Sequence, residues 1–237
     1  ICTRSCGFCA IKTGKPEILD EDEPERVATA IAYLDLRHAV ITSVNRDELP
    51  DGGAKIFART IEAVHRQCPN TTIEVLIPDF KGDWTALGTV MAAAPDILNH
   101  NIESPPRLYY KMRPQAQYER SLELLDRARK LSPAPTKSGM MLGAGETEEE
   151  IATSIRDLAD VGCSILTLGQ YLSPSAQHVQ VERFVHPDEF IQWREFAIEL
   201  GFRHVESGPL VRSSYHAAEQ VDQAVAADPL LSIETAP

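Results

Sequence analysis

The feature that most constrains the fold is an alternation. Short, β-branched apolar runs return along the chain, and each is followed by a stretch with helical periodicity. His38 to Val44 (HAVITSV), Thr71 to Ile77 (TTIEVLI), Asp96 to Asn101 (DILNHN), Thr136 to Leu142 and Cys163 to Leu168 (CSILTL) read as strands, and His204-Val205 starts another short one. Asp51 to Gln67, Asp83 to Ala94, Tyr118 to Leu131, Thr147 to Val161 and Pro187 to Leu200 read as helices, with Leu19 to Asp35 ahead of the first strand. Asp20 is the expected cap of that first helix, with Glu23 completing a capping box. Leu122, Leu125, Ala128 and Leu131 mark the expected apolar stripe of the fourth helix after the first strand's group. Strand and helix in this rhythm predict parallel strands with crossover helices. The strands fall short of eight, so the expected fold is a partial, TIM-like (β/α)6 barrel, with one further strand expected upstream of Cys2. No linker, repeat or low-complexity segment interrupts it. Residues 1–217 form the expected barrel unit, and 218–237 a loosely held tail.

Polar residues collect where such a barrel places its chemistry, at the C-terminal ends of the strands. Thr42, Ser43, Asn45, Arg46 and Asp47 follow one strand, Asp79 the next, and Asn99, His100, Asn101 and Glu103 the third. Lys137, Ser138 and Glu146 lie on or after the fourth, and Gln170 and Tyr171 after the fifth. Tyr109, Tyr110 and Arg113 either face a substrate or pack. Asp51-Gly52-Gly53 reads either as a helix-leading turn or as part of the site. Gly143-Ala144-Gly145 lacks the third glycine of a dinucleotide fingerprint and reads as a strand-to-helix turn that lets backbone approach a ligand.

The net charge of −12 disfavours phosphate-rich nucleic acid and anionic lipid as partners. No apolar run approaches the roughly eighteen residues of a membrane span, and no secretory leader is visible; a cytoplasmic location, or an organelle in a eukaryote, is expected. The chain begins at Ile1, without Met and inside a motif, and is read as lacking its natural N-terminal part.

Three of the five cysteines, Cys2, Cys6 and Cys9, crowd into C-x3-C-x2-C (CTRSCGFC), while Cys68 and Cys163 stand alone. This is no disulfide framework. Three thiolates on one loop suit a cubane [4Fe-4S] cluster with one iron left open for a ligand. Zinc is the plainer alternative, but zinc sites pair such a knuckle with a second, absent here. Gly7 suits a tight wrap, and Phe8 is placed to shield a cluster from water. The histidines form no metal set.

C-x3-C-x2-C with an aromatic before its last cysteine, opening a (β/α) chain, resembles the radical S-adenosylmethionine (SAM) superfamily. Within it, CTRSCGFCAIKTGKP, TSVNRDELPDGGA, IEVLIPDF, NHNIE, PTKSGMMLGAGET, LTLGQYLSPS and HVESGPLVRSSYHA, in this order, resemble the lipoyl synthase family from Ile1 to Ala217. The resemblance implies a radical SAM barrel and a sulfurtransferase of lipoate biosynthesis. It implies insertion of two sulfur atoms at C6 and C8 of a protein-bound octanoyl-lysine. It implies two [4Fe-4S] clusters in the full-length protein. One, on Cys2, Cys6 and Cys9, binds SAM, whose 5′-deoxyadenosyl radical abstracts hydrogen. The other is an auxiliary sulfur donor held by three upstream cysteines and a serine of R-S-S-Y, carried over to Ser214, or else Ser213. The upstream cysteines are missing from this sequence, so this chain by itself is expected to make no lipoyl product. Strand-end position and superfamily layout place the loop Thr42 to Asp47, with Thr42 and Ser43 foremost, at the SAM amino group, Asn101 and Glu103 at the ribose, and Lys137 at the carboxylate. Implied partners are octanoylated lipoyl carrier domains of 2-oxoacid dehydrogenases or the glycine cleavage H protein, and an electron donor such as ferredoxin or flavodoxin. Biotin-synthase-like sulfur insertion and a non-catalytic iron–sulfur protein are the competing readings.

Overall fold

The computed structural model describes residues 1–16 and 18–214. Tyr215 of the R-S-S-Y motif and the expected tail at 218–237 lie outside the described residues. Six parallel strands form one sheet in sequence order: β1 (His38–Thr42), β2 (Thr72–Leu76), β3 (Ile97–Asn99), β4 (Thr136–Leu142), β5 (Ile165–Gln170) and β6 (His204–Gly208). Helix α1 (Glu23–Tyr33) precedes β1. Helices α2 (Ala54–Gln67), α3 (Trp84–Ala92), α4 (Tyr109–Met112) with α5 (Tyr118–Leu131), α6 (Glu148–Asp160) and α7 (Pro187–Glu199) make the successive crossovers. This is the partial barrel expected from the sequence. The upstream strand expected before Cys2 lies outside the sequence.

Local chemistry sets the element boundaries. The capping box expected at Asp20 and Glu23 does not form. Pro24 fits only the first turn, so α1 starts at Glu23. Asp20 instead accepts from the Asp22 backbone N–H at 3.1 Å and pairs with Arg26. A true capping box opens α6, where Thr147 and Glu150 each accept the other's backbone N–H. Asp51 accepts from the N–H groups of Gly53 and Lys55, and Gly53 takes φ 90°, so this stretch is the turn that opens α2. The stripe of α5 is rotated from expectation. Tyr118, Ser121, Leu124, Leu125 and Ala128 face inward, Leu122 is half-buried, and Leu131 is 56% exposed.

Two apolar cores hold the helices on the sheet. Ile61 and Val64 of α2 and Leu87 and Val90 of α3 pack with Ile73 and Val75 of β2. Leu125 of α5, Ile151 and Ile155 of α6 and Phe190 of α7 pack with Leu166 and Leu168 of β5. Each such side chain stabilises the fold by about 1.5–3 kcal/mol when fully buried. The packing therefore outweighs helix propensity. Because all strands are parallel, their C-terminal ends share one rim, and the loops there meet the segment from Cys2 to Cys9.

Candidate active site

The cysteine loop is held from several directions. The Cys2 N–H donates to the Lys12 carbonyl and the Gly14 N–H to the Cys2 carbonyl, closing the loop on itself. Thr3 ties it to the segment after β1, donating to the Asn45 carbonyl at 3.1 Å and accepting the Asp47 N–H. Gly7 ties it to α4: its N–H donates to the Met112 carbonyl, and a Cβ there would lie 2.2 Å from the Lys111 carbonyl oxygen. Only glycine permits that approach, a sharper reason than the tight wrap expected from sequence. The long segment after β5 closes the other side. The Val179 N–H donates to the Gly7 carbonyl, Tyr171 Oη donates to the Val179 carbonyl, and His178 Nε2 lies 3.2 Å from the Cys9 carbonyl.

Arg4, between the first two cysteines, anchors the loop to the barrel and was not marked by sequence reasoning. Its guanidinium makes a bidentate contact to Asp47 at 2.7 and 3.0 Å and reaches Asp79 at 2.5 Å. Asp79 also meets Arg120 at 3.3 Å and accepts the Lys81 N–H. Burial works against a charged Asp79, but the hydrogen bond and charge of Arg4 outweigh it and hold the carboxyl at about 2. Asp47 and Asp79, strand-end polar groups in the sequence, thus serve as anchors.

Two contiguous cavities open at the rim, of 190 and 320 Å³. The first is lined by Cys2, Cys6, Cys9, Thr42, Ser43, Asn45, His100 and Arg113; the second by Gly139, Met140, Met141, Thr167, Gly169, Leu172 and Ser213; Phe8, Leu76, Asn101 and Glu103 wall both. Together they reach the size range of a small-molecule site. A Cβ at Gly139 would come within 2.5 Å of Thr167 Oγ1, and one at Gly169 within 2.3 Å of the Val211 carbonyl. Both glycines let neighbouring chain approach the second cavity.

The structure brings most of the expected site residues together. Thr42 Oγ1 donates to the Leu76 carbonyl and Ser43 Oγ to the Val44 carbonyl, and both residues line the thiol cavity. Asn101 Nδ2 donates to Glu103 at 3.2 Å and to Ser213 Oγ at 3.3 Å, while its Oδ1 is buried without a partner. Glu103 sits at φ 65°, a strained conformation for a side-chain-bearing residue. Burial raises its pKa against the pull of Arg113. Arg113 donates to the Asn101 carbonyl at 2.6 Å and lies over the Tyr109 ring. Tyr109 itself is buried, and Tyr110 is exposed.

Other expected groups are engaged elsewhere. Lys137, expected at the SAM carboxylate, is fully buried, pairs with Glu74 at 3.0 Å and donates to the Ser213 carbonyl at 2.6 Å. Glu146 accepts the Gly143 and Ala144 N–H groups, so that turn already holds a carboxylate of its own chain rather than offering its amides to a ligand. Gln170 braces its own loop through the Arg183 carbonyl and the Val185 N–H. Ser213 lines the second cavity, whereas Ser214 is exposed and makes no hydrogen bond among the described residues. Cys68 and Cys163 are buried, and Cys163 precedes β5 at the opposite rim; burial pushes its thiol up to about 12. No helix among the described residues is long and apolar enough to cross a membrane.

The donor chemistry suits an iron–sulfur cluster. Among the described residues no three His, Cys, Asp or Glu side chains converge on a single ion. A cubane instead spreads its thiolates over separate irons. The Arg4 N–H lies 3.4 Å and Asn45 Nδ2 4.0 Å from Cys2 Sγ, contacts that orient this sulfur. Burial pushes the Cys6 thiol up to about 11, against the pull of Arg113, so binding iron displaces its proton. The Asn45 and Asn101 side-chain oxygens are buried without a partner, and both residues line the thiol cavity.

Comparison with known proteins agrees with this geometry. Residues 1–158 match the model of the radical SAM superfamily. The chain is 62% identical over 218 residues to a lipoyl synthase of Roseiflexus sp. (strain RS-1), covering 92% of this chain and 72% of that protein. It is 59% identical over 225 residues to a lipoyl synthase of Rubrobacter xylanophilus, covering 94% and 70%. Among solved structures, SuiB of Streptococcus suis bound to the precursor peptide SuiA superposes with a TM-score of 0.67 at 9% identity, over 92% of this chain and 49% of that one. That likeness shows the barrel alone.

Proposed function

Because the chain belongs to the lipoyl synthase family of radical SAM enzymes, we propose that Cys2, Cys6 and Cys9 hold the cluster that binds SAM, and that the two cavities at the rim hold SAM and the octanoyl chain side by side. The family carries out sulfur transfer with SAM and a [4Fe-4S] cluster, acting on a lipoyl carrier protein. The observation that carries the residue assignment is the placement of three thiols and the paired cavities on one barrel rim.

When bound, the reduced cluster and SAM supply a 5′-deoxyadenosyl radical able to take hydrogen from an unactivated carbon. The chain's residues orient and seclude that chemistry. Thr42 and Ser43 present hydroxyl lone pairs to the SAM ammonium. Asn101 Oδ1 and the Glu103 carboxyl accept from ribose hydroxyls, which satisfies the orphaned oxygen. Arg113 takes over from Lys137 as the cation facing the SAM carboxylate, since it lines the thiol cavity. Phe8, Met140, Met141 and Leu172 give the second cavity an apolar wall for an alkyl chain.

An auxiliary cluster as sulfur source, with Ser214 as a ligand and Ser213 as the fallback, completes the proposal. Its support is the position of the Arg212–Ser214 segment beside the second cavity and the unengaged Ser214 hydroxyl. A hard serine oxygen binds iron less firmly than a thiolate, which suits a cluster that surrenders sulfur. The proposed substrates are octanoylated carrier domains of 2-oxoacid dehydrogenases or the glycine cleavage H protein, and the proposed reductant is ferredoxin or flavodoxin.

The test is anaerobic cluster reconstitution followed by SAM and dithionite. The expected result is 5′-deoxyadenosine from the parent chain and none from Cys6→Ala. Loss of cleavage in Asn101→Ala and Arg113→Met, with the cluster retained, supports the SAM contacts; full cleavage in both removes them. In holoenzyme expressed from the whole reading frame, turnover of an octanoylated carrier domain but not of dethiobiotin separates this reading from biotin-synthase-like chemistry.

A further inference from the structure

At the centre of the barrel lies a charge pair that the chemistry above does not use. Lys137 on β4 and Glu74 on β2 both have side chains that are 0% exposed, and their charged ends are 3.0 Å apart. Glu74 also accepts from Asn99 Nδ2 at 2.7 Å and lies 3.8 Å from His38 Nε2. Burial works to lower the Lys137 pKa, and Glu74 opposes it. Such a pair seldom adds net stability over apolar residues of the same size. What it supplies is geometry.

Lys137 Nζ has a second partner, the Ser213 carbonyl at 2.6 Å. Asn101 Nδ2 holds Ser213 Oγ at 3.3 Å. Among the described residues, the Arg212–Ser214 segment otherwise hangs from β6 by the Val211 N–H to the Gly208 carbonyl. The barrel therefore grips Ser213 by main chain and side chain alike, and leaves the Ser214 hydroxyl exposed and unbonded among the described residues. A charge-assisted bond from a buried, doubly committed ammonium is the firmest of these holds.

We infer that Lys137, pinned by Glu74, is a positioning residue that fixes the Ser213–Ser214 segment so that a serine oxygen faces the auxiliary cluster. This rests on the proposed serine ligation.

Removing Lys137 alone strands the Glu74 charge and risks unfolding, so the probe is the double variant Glu74→Gln/Lys137→Met, which removes both charges. Far-ultraviolet circular dichroism and thermal melting check its fold. Trypsin cleavage after Arg212, followed by mass spectrometry, reads the hold on the segment. Losing a charge-assisted hydrogen bond is expected to speed cleavage there by about tenfold or more, with cleavage after Arg66 unchanged. In holoenzyme expressed from the whole reading frame, iron and sulfide are expected to fall to about half as the auxiliary cluster is lost, while SAM cleavage to 5′-deoxyadenosine persists. Unchanged cleavage after Arg212, or an auxiliary cluster retained in full, overturns the inference. Single Ser213→Ala and Ser214→Ala variants are read alongside. If both keep the auxiliary cluster, serine ligation itself is what has failed, whatever trypsin shows.

Discussion

Replacing Arg4 with methionine keeps the length of the side chain and deletes the charge that joins the cysteine loop to the barrel. The magnitude follows from the two carboxylates it leaves behind. The Asp79 side chain is 0% exposed and that of Asp47 is 21% exposed. Holding the Asp79 carboxyl at about 2 rather than 3.8 corresponds to about 2 kcal/mol of stability at neutral pH. Breaking a buried pair by removing one partner costs about 3–5 kcal/mol in general. Arg120 still reaches Asp79 at 3.3 Å, so the expected cost lies between these two figures, about 2–4 kcal/mol. The sign with pH is fixed by the depressed carboxyl: the contribution is complete above about pH 4 and disappears as pH falls through about 2. In Arg4→Met the buried Asp79 carboxyl rises instead. The gap between the two proteins must then shrink as the solution is acidified. Urea denaturation of the metal-free chains at pH 7, 5 and 4 (about 4, 5 and 7 on the scale of ordinary carboxyl titration) measures it. A gap below about 1 kcal/mol at neutral pH, or one that does not change with pH, refutes the reasoning.

Gly7→Ala forces a Cβ to within 2.2 Å of the Lys111 carbonyl oxygen; the expected cost is about 1–3 kcal/mol, and iron uptake measured after reconstitution should fall with it. His100 is buried neutral at about 4 against an ordinary 6.5, because burial penalises its charged form. As pH falls from 6.5 towards 4 the unfolded chain takes up this proton and the folded one does not, so the parent should lose about 3 kcal/mol that His100→Gln does not lose, as read by urea titration. Cys163, with its thiol at about 12 and hydrogen-bonded to the Thr136 and Ile165 carbonyls, should resist iodoacetamide in the native chain at pH 8 (roughly the range where ordinary thiols begin to react) and be labelled only after unfolding, as mapped by mass spectrometry.

The fold was legible because each strand advertises itself locally. HAVIT and TIEVL are β-branched runs, and Thr147 with Glu150 spells out a helix start. The first-helix cap was misread because Pro24 overrides the pairing of Asp20 with Glu23. The stripe of α5 was misread because Leu122, Leu124, Leu125 and Leu131 admit two helical faces, and only the packed sheet chooses between them. In the site, the thiols and strand-end polar groups were legible from type and spacing. The charges were not. Arg4 finds Asp47 and Asp79 across 43 and 75 residues, and Lys137 finds Glu74 across 63. A lysine at a strand end reads equally as a ligand for an anion or as half of an ion pair, and only the fold supplies the partner. His178 likewise meets the Cys9 carbonyl from 169 residues away, with no local signal to mark it.

The hold that the segment after β5 places on the cysteine loop has a consequence for how the protein is made. The motif is synthesised before the segment after β5, yet Gly7 and Cys9 acquire their contacts from Val179 and His178, the latter 169 residues further along the chain than Cys9. Until then the nascent thiols lack half of their cradle. Iron delivered earlier meets an unshaped loop, so a stable cluster is expected only once the segment after β5 has been made and has folded back onto the motif.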